Sequence, residues 1–489
     1  IGSKMTIWSE IGKLAKEMLG VETPSQTNFA SVQSKIQSGN ATKIKGLYKS
    51  EQTTEDLVEI TDEYRFILEA LRKGCPAMFV TGSAGTGKST LINWLSRELP
   101  CCAVLAPTAL AASNVYGVTI HSFFNLPPRH IEPEEELKLT ARSRAAIENI
   151  RFLIIDEVSM VLPNIVDAMN AILVRLKKNN SPFGGIQVVF LGDLLQLPPI
   201  VSSKEEAVYY THNYKSQFFF AAKIFNKLDV FPVQLTKTYR QSDQQFVDIL
   251  TRIRLNRNHK ESVAKINREC FRDKVQVLKT DDVTLVPTNA SARTINEREL
   301  GKLNGAAVSI EAIITGNVPL NKWNISVPSV LRLKVGAKVI FMKNKKPFWI
   351  NGDLGIVTDI LDNSIQVRKL ASDNIVSVDK EIWEKFNYEY NYSTKTLNHN
   401  VVASFEQFPL SLGWAITIHK SQGMTLDEVT IDLGAGAFSP GQTYVALSRA
   451  RSIEGITLIK PISMTDVHAD QTAIKFYQSL GLDEGHYSD

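Results

Sequence analysis

Three glycines, a lysine and a serine are closely spaced in "FVTGSAGTGKSTLINWL", residues 79–95. This run fits the pattern G-x-x-x-x-G-K-[ST] and lies between a predicted buried strand and a predicted helix. Glycines let successive backbone N–H groups point inward as an anion nest at a helix N-terminus. The lysine can reach the β- and γ-phosphates, and the serine hydroxyl can ligate Mg²⁺. We therefore predict a nucleoside triphosphate site formed by Gly82, Ser83, Ala84, Gly85, Thr86, Gly87, Lys88, Ser89 and Thr90.

Two further motifs place polar side chains directly after predicted strands, where open α/β sheets bind ligands. In "FLIIDEVSM", Asp156 and Glu157 follow four apolar residues. Asp156 is suited to coordinate Mg²⁺, and Glu157 is suited to orient and deprotonate an attacking water. In "VVFLGDLLQLPPI", Gln196 can hydrogen-bond the γ-phosphate or that water, although a polar residue of a surface loop is the alternative. With the glycine-rich loop, the acid pair indicates triphosphate hydrolysis.

Arginines occur in two later motifs, "QLTKTYRQS" and "YVALSRARS". P-loop ATPases need a cation against the charge of the transition state, and a facing domain often supplies it. Arg240 and Arg449 are the candidates for this role. Arg451 is better interpreted as a surface arginine.

The elements that must position these residues follow from apolar runs that alternate with helical patterns after residue 55. This alternation predicts parallel α/β sheets. Predicted strands of a first unit are 77–80, 103–106, 152–155 and 187–191, and those of a second unit are 233–235, 283–286, 412–418, 430–433 and 456–459. Between about 300 and 404, turn residues and short alternating strands predict a small β-barrel inserted into the second unit.

Bulk properties set wider limits. A chain of 489 residues should hold several domains. Its net charge of +4 is too small to indicate a nucleic-acid partner by itself, and no apolar run has the length of a membrane span. The four cysteines form no C-x-x-C pair, so neither zinc nor a disulfide framework is expected. We expect a reducing intracellular compartment: cytoplasm in a bacterium, nucleus or mitochondrion in a eukaryote.

Taken in order, six motifs resemble those of superfamily 1 helicases: "GSAGTGKS", "LIIDEVSM", "GDLLQLPP", "TKTYRQ", "ITIHKSQGMTLDEV" and "YVALSRAR". The stretch 106–124, "APTALAASNVYGVTIHSFF", is similar to the motifs of that superfamily that touch single-stranded DNA. Residues 158–200 and "NGDLGIV" resemble the signature stretch and the barrel of the petite integration frequency (PIF) helicases. The resemblance extends over roughly residues 55–461.

This resemblance implies an α/β fold with two RecA-like P-loop motor domains and ATP bound between them. A small wedge should be inserted in the first domain at about 126–150, and a small Src-homology-three-like β-barrel in the second. The implied division is an N-terminal segment 1–54 without assigned chemistry, a first motor domain 55–230, a second motor domain 231–300 and 405–465, the barrel 301–404, and a C-terminal tail 466–489.

The resemblance also implies an activity: an ATP-dependent helicase that moves 5′ to 3′ on single-stranded DNA. It implies ATP and Mg²⁺ as cofactors and a monomeric motor with no membrane partner. Forked or tailed duplexes, RNA–DNA hybrids and G-quadruplexes are the implied substrates, in DNA repair, recombination and telomere maintenance.

Residue roles transfer by position in the motifs. The catalytic set is Lys88, Glu157, Gln196, Arg240 and Arg449. Gly423 joins the ATP-binding residues, and Ser89 and Asp156 would hold the metal. The DNA path would be lined by Thr108, His121, Phe123, Thr288, Asn289, His419, Lys420, Ser421 and Gln422. For Phe123, packing in the core is the alternative to stacking on a base.

One departure from the family concerns adenine. The family has a glutamine that reads the adenine, within an L-x-x-E-Q pattern before the P-loop. Here no glutamine occurs from residue 53 to residue 90. Tyr64 could stack on any base, Glu63 could accept from the adenine amine, and Gln52 could fold over the base. Selectivity for adenine therefore stays open.

Two other functions share these motifs. One is a RecD-type subunit of a recombination nuclease, against which the PIF-like signature after Asp156 argues. The other is a DNA-stimulated ATPase or clamp that binds DNA without unwinding it.

Overall fold

The computed structural model of this chain describes most of the 489 residues. The described residues are 2–19, 60–127, 139–201, 204–241, 243–272, 283–316, 327–343, 351–391 and 396–482, with the single positions 131, 132, 135, 137, 345 and 347–349 between them.

A six-stranded parallel sheet carries the glycine-rich loop. Its inner strands are short apolar runs buried on both faces, as expected where helices cover both sides of a sheet. The strands are β1 (Ala77–Thr81), β2 (Cys102–Ala106), β3 (Val118–Thr119), β4 (Phe152–Ile155), β5 (Gln187–Leu191) and β6 (Val230–Gln234), and their spatial order is β3-β2-β4-β5-β1-β6. The predicted α/β architecture with a parallel sheet is confirmed.

Strand β6 corrects one prediction. The run at 233–235 was expected to begin the second unit, but β6 pairs in parallel with β1, from Ala77 opposite Val230 to Thr81 opposite Gln234. It lies at the sheet edge, where Pro232 costs no ladder hydrogen bond. A short apolar run does not specify which of two parallel sheets it joins, so the sequence could not place this strand.

A second parallel sheet has four strands. They are β7 (Val283–Val286), β18 (Ala415–Thr417), β19 (Val429–Ile431) and β20 (Ile456–Leu458), and their spatial order is β18-β7-β19-β20. The single strand predicted at 412–418 is wrong, because Gly413 separates β17 (Leu410–Leu412), which pairs with another sheet, from β18. A Cβ at position 413 would lie 2.6 Å from the backbone of Val339, so the crossing between sheets requires glycine.

The described strands from β8 to β17 form antiparallel sheets. Their strands are β8 (Val308–Glu311), β9 (Ile313–Thr315), β10 (Val330–Leu333), β11 (Lys338–Phe341), β12 (Leu354–Ile360), β13 (Ser364–Lys369), β14 (Ile375–Asp379), β15 (Glu381–Asn391) and β16 (Thr396–Gln407). Five strands form one sheet in the order β14-β13-β12-β11-β17, around a core of their own. Closure of these strands into a barrel stays a prediction.

Helices flank the two parallel sheets. They are α1 (Gly2–Leu19), α2 (Asp62–Arg72), α3 (Lys88–Glu98), α4 (Ala109–Asn114), α5 (Ile120–Phe123), α6 (Ala141–Asn149), α7 (Pro163–Lys177), α8 (Lys204–Tyr214), α9 (Gln244–Leu255), α10 (Lys260–Cys270), α11 (Asn289–Lys302), α12 (Gln442–Leu447) and α13 (Gln471–Ser479). Part of the predicted wedge, including 128–130, lies outside the described residues, as does most of the N-terminal segment. In the part of the chain that the structure describes, no helix has the length and apolar character to cross a bilayer.

The C-terminal segment returns to the first sheet after the chain has completed the second. Asp470 caps helix α13, and its side chain accepts hydrogen bonds from the N–H groups of Thr472 and Ala473. Its apolar face, with Ala473 and Ile474, packs into the core of the first unit. The predicted tail 466–489 thus contains a helix that is part of the first unit's core.

Candidate nucleotide site and DNA path

The glycine-rich loop has the conformation that its sequence predicts. Gly85 and Gly87 have φ of +84° and +86°, a region that favours glycine. Helix α3 begins at Lys88, directly after the loop. The Lys88 Nζ donates to the carbonyl oxygens of Gly82, at 2.7 Å, and Ser83, at 3.0 Å. The ammonium therefore lies against the loop, in the place where phosphate oxygens would compete for it.

Lys88 lies among the acidic side chains of the site. Burial lowers the pKa of Lys88, while the charges of Asp193, Glu157 and Asp156 raise it. Three strand ends thus converge on one cation: the loop after β1, the acid pair after β4 and the loop after β5. This convergence is what the strand-end pattern predicted for Lys88, Asp156 and Glu157.

Both members of the acid pair titrate abnormally. Burial raises the pKa of Asp156, and the charge of Glu157 raises it further. Burial also raises the pKa of Glu157, although Lys88 and Arg449 oppose the change. Glu157 has φ +47° and ψ +43°, a left-handed conformation that costs energy for a residue with a Cβ. A carboxylate with a raised pKa is suited to take a proton from water.

Gln196 is held by a residue that was not predicted, Asp193. The Gln196 Nε2 donates to the Asp193 carboxylate at 3.2 Å, and both side chains are buried. Arg254, on α9, donates to the same carboxylate from Nε at 3.0 Å and 3.1 Å and from Nη2 at 2.8 Å. Gln196 is therefore no surface-loop residue, because a buried ion pair fixes its neighbour.

Charge explains why Asp193 stays ionised. Burial alone would raise the pKa of Asp193, but the charge and hydrogen bonds of Arg254, with help from Lys88 and Gln196, hold it below its ordinary value. Arg254 lies on α9, and the apolar residues of this helix belong to the core around the second sheet. The pair consequently joins the two units. No motif in the sequence indicated Arg254.

Arg449 is a buried cation that interacts by charge with Glu157 and Asp193. Its Nε and Nη1 donate to the carbonyl oxygens of Val445 and Ser421, and its Nη2 donates to the Ser448 hydroxyl at 2.8 Å. Burial lowers the pKa of Arg449, and the nearby charge of Arg240 lowers it further. Its hydrogen-bond acceptors are neutral oxygens, and the charges of Glu157 and Asp193 act on it only from a distance, so an anionic ligand would find unoccupied charge here.

Arg240 lies against the glycine-rich loop. A Cβ at Gly85 would meet the Arg240 Cβ at 2.5 Å, and the Arg240 Nη1 donates to the Ser448 carbonyl oxygen at 3.1 Å. Both predicted arginines thus lie at one cleft between the units. Arg451 instead pairs with Asp427 on the surface, as its interpretation as a surface arginine predicted.

The two units approach each other closely at this cleft. The backbone N–H of Ala84 donates to the hydroxyl of Tyr444, which lies on α12, at 3.0 Å. A Cβ at Gly441 would lie 2.3 Å from the carbonyl oxygen of Gln196 and 2.5 Å from that of Leu195. Tyr444 was not predicted, although it stands within the motif that contains Arg449.

The structure corrects the role considered for Tyr64. Its hydroxyl donates to the Gly87 carbonyl oxygen at 2.7 Å, and its buried ring stacks near Trp94. Tyr64 therefore supports the loop from behind and is not available to stack on a base. An exposed aromatic ring near the same glycine belongs to Tyr239, which is 46% exposed. Glu63 accepts from the Thr236 hydroxyl at 3.2 Å.

Gln52, the remaining candidate for reading adenine, lies outside the described residues.

Two of the predicted DNA-path residues occupy equivalent places in the two sheets. Thr108 follows β2 and caps α4, accepting from the N–H of Ala111 at 3.2 Å. Thr288 follows β7 and caps α11, accepting from the N–H of Ser291 at 3.1 Å. Each threonine thus stands at a helix N-terminus, which favours anions such as phosphates.

The other polar path residues differ in exposure. Asn289 and Lys420 are exposed, and His121 and His419 are half-buried. Burial lowers the pKa of both histidines. Among the described residues, the buried Nε2 of Gln422 has no hydrogen-bond partner. Such an atom costs free energy unless a ligand or water satisfies it.

Three predicted site residues have different surroundings from those expected. Phe123 is 1% exposed and packs edge-to-face on Phe124 in the first core, so its placement on the DNA path is wrong and the packing alternative holds. The buried Ser421 hydroxyl donates to the Ile418 carbonyl oxygen, so that side chain is turned from any DNA. Gly423, with φ +79°, faces Asn114 of α4: a Cβ there would lie 3.4 Å from the Asn114 Nδ2.

Fold and site together define a P-loop nucleoside triphosphatase with two parallel α/β units and arginines at the cleft between them. The family model described as PIF1-like helicase matches residues 59–264. The ATP-dependent DNA helicase Pif1 of Bdellovibrio bacteriovorus is 33% identical over 436 residues, which cover 86% of this chain and 92% of that one. The chain belongs to the PIF1-like helicases, and it is an enzyme of the ATP-dependent helicase class. It spans 64% of the length of its human relative, named ATP-dependent DNA helicase PIF1.

Solved structures show the same likeness. Pif1 from Bacteroides sp in complex with ADP-AlF4 superposes with a TM-score of 0.79 at 33% identity, covering 87% of this chain and 98% of that one. For Bacteroides Pif1 bound to ssDNA the TM-score is 0.63 at the same identity, covering 86% and 97%. The two RecA-like motor units of the predicted fold are thereby confirmed.

Proposed function

We propose that this chain couples ATP hydrolysis to 5′-to-3′ movement on single-stranded DNA and unwinds tailed or forked duplexes. RNA–DNA hybrids and G-quadruplexes are further proposed substrates, in genome maintenance by a monomeric motor. The observation that carries the proposal is the cleft itself, where Lys88, Glu157 and Arg449 from the two units meet. Lys88 and Glu157 belong to the first unit and Arg449 belongs to the second. Hydrolysis would therefore depend on the relative position of the two units.

Each residue of the cleft has a proposed role. Lys88 exchanges its two carbonyl partners for the β- and γ-phosphates. Glu157 takes a proton from the attacking water, for which its raised pKa is suited. Arg240 and Arg449 offset the charge of the transition state, and Gln196 orients the water or the γ-phosphate.

Mg²⁺ is proposed to bind at Ser89 and Asp156. The oxygen donors fit a hard cation: Ser89 is exposed in the first turn of α3, and Asp156 is a buried carboxylate. Burial raises the pKa of Asp156, because the ionised carboxylate is poorly solvated there, and a bound proton or cation would stabilise it. Mg²⁺ bound there would neutralise charge on the phosphate oxygens.

For adenine we propose stacking on Tyr239. This ring is exposed, and a Cβ at Gly87 would lie 3.5 Å from it, so it borders the end of the phosphate loop. Lys237 lies 5.0 Å from the ring centroid. A tyrosine face stacks on any base without choosing among them. Nucleotide selectivity should therefore be relaxed.

Bacteroides Pif1 has been solved bound to ssDNA, which supports single-stranded DNA as the track. Here Thr108 and Thr288 offer one phosphate grip on each motor unit. Asn289, Lys420 and Gln422 would add polar contacts on the second unit. The 5′-to-3′ direction rests on family membership.

The test is unwinding of fluorescent duplexes that carry a 5′ tail, a 3′ tail or a fork, with Lys88→Ala as the matched control. We expect unwinding from the 5′ tail, suppressed by salt because binding is mainly to phosphates. Lys88→Ala should keep single-stranded DNA binding and fall below about a tenth of wild-type turnover. ATP hydrolysis without strand displacement would instead support a clamp, and equal use of a 3′ tail would contradict the polarity.

A further inference from the structure

The C-terminal helix places one side chain behind the nucleotide site. Tyr477, on α13, is 6% exposed and lies under the loops that follow β1 and β5. It is separated from Asp193 by 284 positions in the sequence. No motif includes it, and the nucleotide chemistry described above does not use it.

The Tyr477 hydroxyl has three partners. It is 2.7 Å from the hydroxyl of Thr81, it accepts from the N–H of Leu194 at 3.0 Å, and it donates to the Asp193 carboxylate at 3.4 Å. All three are satisfied if Thr81 donates, since a phenol oxygen accepts twice and donates once. Burial and the charge of Asp193 raise the pKa of Tyr477, so the hydroxyl keeps its proton.

These partners belong to the two loops that handle phosphate. Thr81 is the last residue of β1 and directly precedes Gly82 of the P-loop. Asp193 receives the amide of Gln196 and the guanidinium of Arg254. A shift of the Asp193 carboxylate would therefore move Gln196 as well.

The packing around α13 fixes this hydroxyl in place. The adjacent Phe476 stacks on Phe220 with centroids 4.0 Å apart, and the Tyr477 ring lies 6.0 Å from Phe79. The Arg254 guanidinium lies 5.7 Å from the Tyr477 centroid. Phenylalanine at position 477 would keep all ring contacts and remove the hydroxyl alone.

We infer that Tyr477 is a positioning residue of the ATPase site, which orients Gln196 through Asp193 and holds this loop at a fixed distance from the P-loop. The inference rests on the proposed function, because its effect is on ATP hydrolysis. It also gives the C-terminal segment a role: the helix that follows the second unit completes the catalytic loop of the first.

The experiment compares Tyr477→Phe with Tyr210→Phe in the full chain. Tyr210 is 2% exposed in the same unit, and its hydroxyl donates to the Asn164 side chain at 3.0 Å rather than to a residue of the nucleotide site. Both variants lose one buried hydroxyl, so their midpoints of thermal unfolding should be similar. For Tyr477→Phe we expect kcat with single-stranded DNA to fall about tenfold, as when a supporting hydrogen bond behind a ligand is lost. KM for ATP and the Kd for DNA should stay within about threefold of wild type.

A second variant, Thr81→Val, removes the partner hydroxyl. Its effect on kcat should not add to that of Tyr477→Phe, because the two side chains act through one network. Equal kcat in Tyr477→Phe, Tyr210→Phe and wild type would overturn the inference. A fall in kcat no larger than the measured decrease in the fraction of folded protein would overturn it too. A wild-type chain without DNA-stimulated hydrolysis would refute the proposed function itself.

Discussion

Replacing Arg254 by methionine should destabilise the protein more than any surface substitution of an arginine. The side chain is 1% exposed and donates three hydrogen bonds to the Asp193 carboxylate, which is 0% exposed. Removing one partner of such a pair leaves a buried charge and costs about 3–5 kcal/mol. At about 2–4 °C per kcal/mol for a unit of 150–250 residues, the lowest unfolding transition should fall by about 6–20 °C.

Scanning calorimetry without nucleotide would measure this transition, with Arg451→Met as the matched control. Arg451 pairs with Asp427 where both side chains are more than half exposed, so its loss should cost less than about 1 kcal/mol. The double substitution Asp193→Asn with Arg254→Met removes both charges and should recover part of the loss.

The pH dependence of stability provides a second check on the charge of Asp193. In the parent protein the pKa of Asp193 is depressed, so its contribution to stability is present above the unfolded pKa of about 3.9 and is lost on further acidification. In Arg254→Met, burial without the guanidinium raises that pKa above the unfolded value. The penalty is then full at neutral pH and is relieved as pH falls. A shift below about 2 °C, or one independent of pH, would refute this reasoning.

Three further predictions follow from the site. Glu157→Gln should bind ATP and DNA yet hydrolyse ATP orders of magnitude more slowly, since the carboxamide keeps the shape and loses the base; loss of ATP binding, measured by fluorescent nucleotide titration, would make Glu157 structural. GTP should support DNA-stimulated hydrolysis within about tenfold of ATP in kcat/KM, because the stacking proposed for Tyr239 would not select a base. A preference for ATP beyond about a hundredfold would contradict this proposal. Single-stranded DNA affinity at fixed salt should be constant from pH 8 to about 6.5, because burial lowers the pKa of His121 and His419 and both side chains stay neutral. An increase in affinity on reaching about pH 6.5, measured by fluorescence anisotropy, would contradict this. Below about pH 6.5 the stability of the protein should fall, because the unfolded chain binds protons that the folded histidines do not.

Local patterns predicted the parts of the site that depend on local structure. Strands 152–155 and 187–191 have their predicted bounds, and the acid pair and the phosphate loop follow strands as expected. The helix predicted after the phosphate loop begins at Lys88, because the left-handed Gly87 ends the loop there. A motif predicts the loop that it encodes, since the loop's geometry depends on residues adjacent in sequence.

Tertiary choices could not be predicted in the same way. The burial of Phe123 depends on which face of a four-residue helix meets the core. The assignment of β6 to the first sheet depends on a partner strand more than 140 residues away. Arg254 and Tyr477 act on Asp193 from helices with no distinguishing composition. Such contacts are set by packing, on which the periodicity of one segment gives no information.

The glycine at position 441 makes the closed cleft intolerant of added bulk. A methyl group there would collide with two backbone oxygens of the facing unit, and backbone cannot rotate away as a side chain can. Glycine at position 441 therefore allows the two motor units to approach each other as closely as they do here. Gly441 also has φ +74°, so any side chain there would strain the turn before α12 as well as press the two units apart, and alanine at this position should weaken the contact between them.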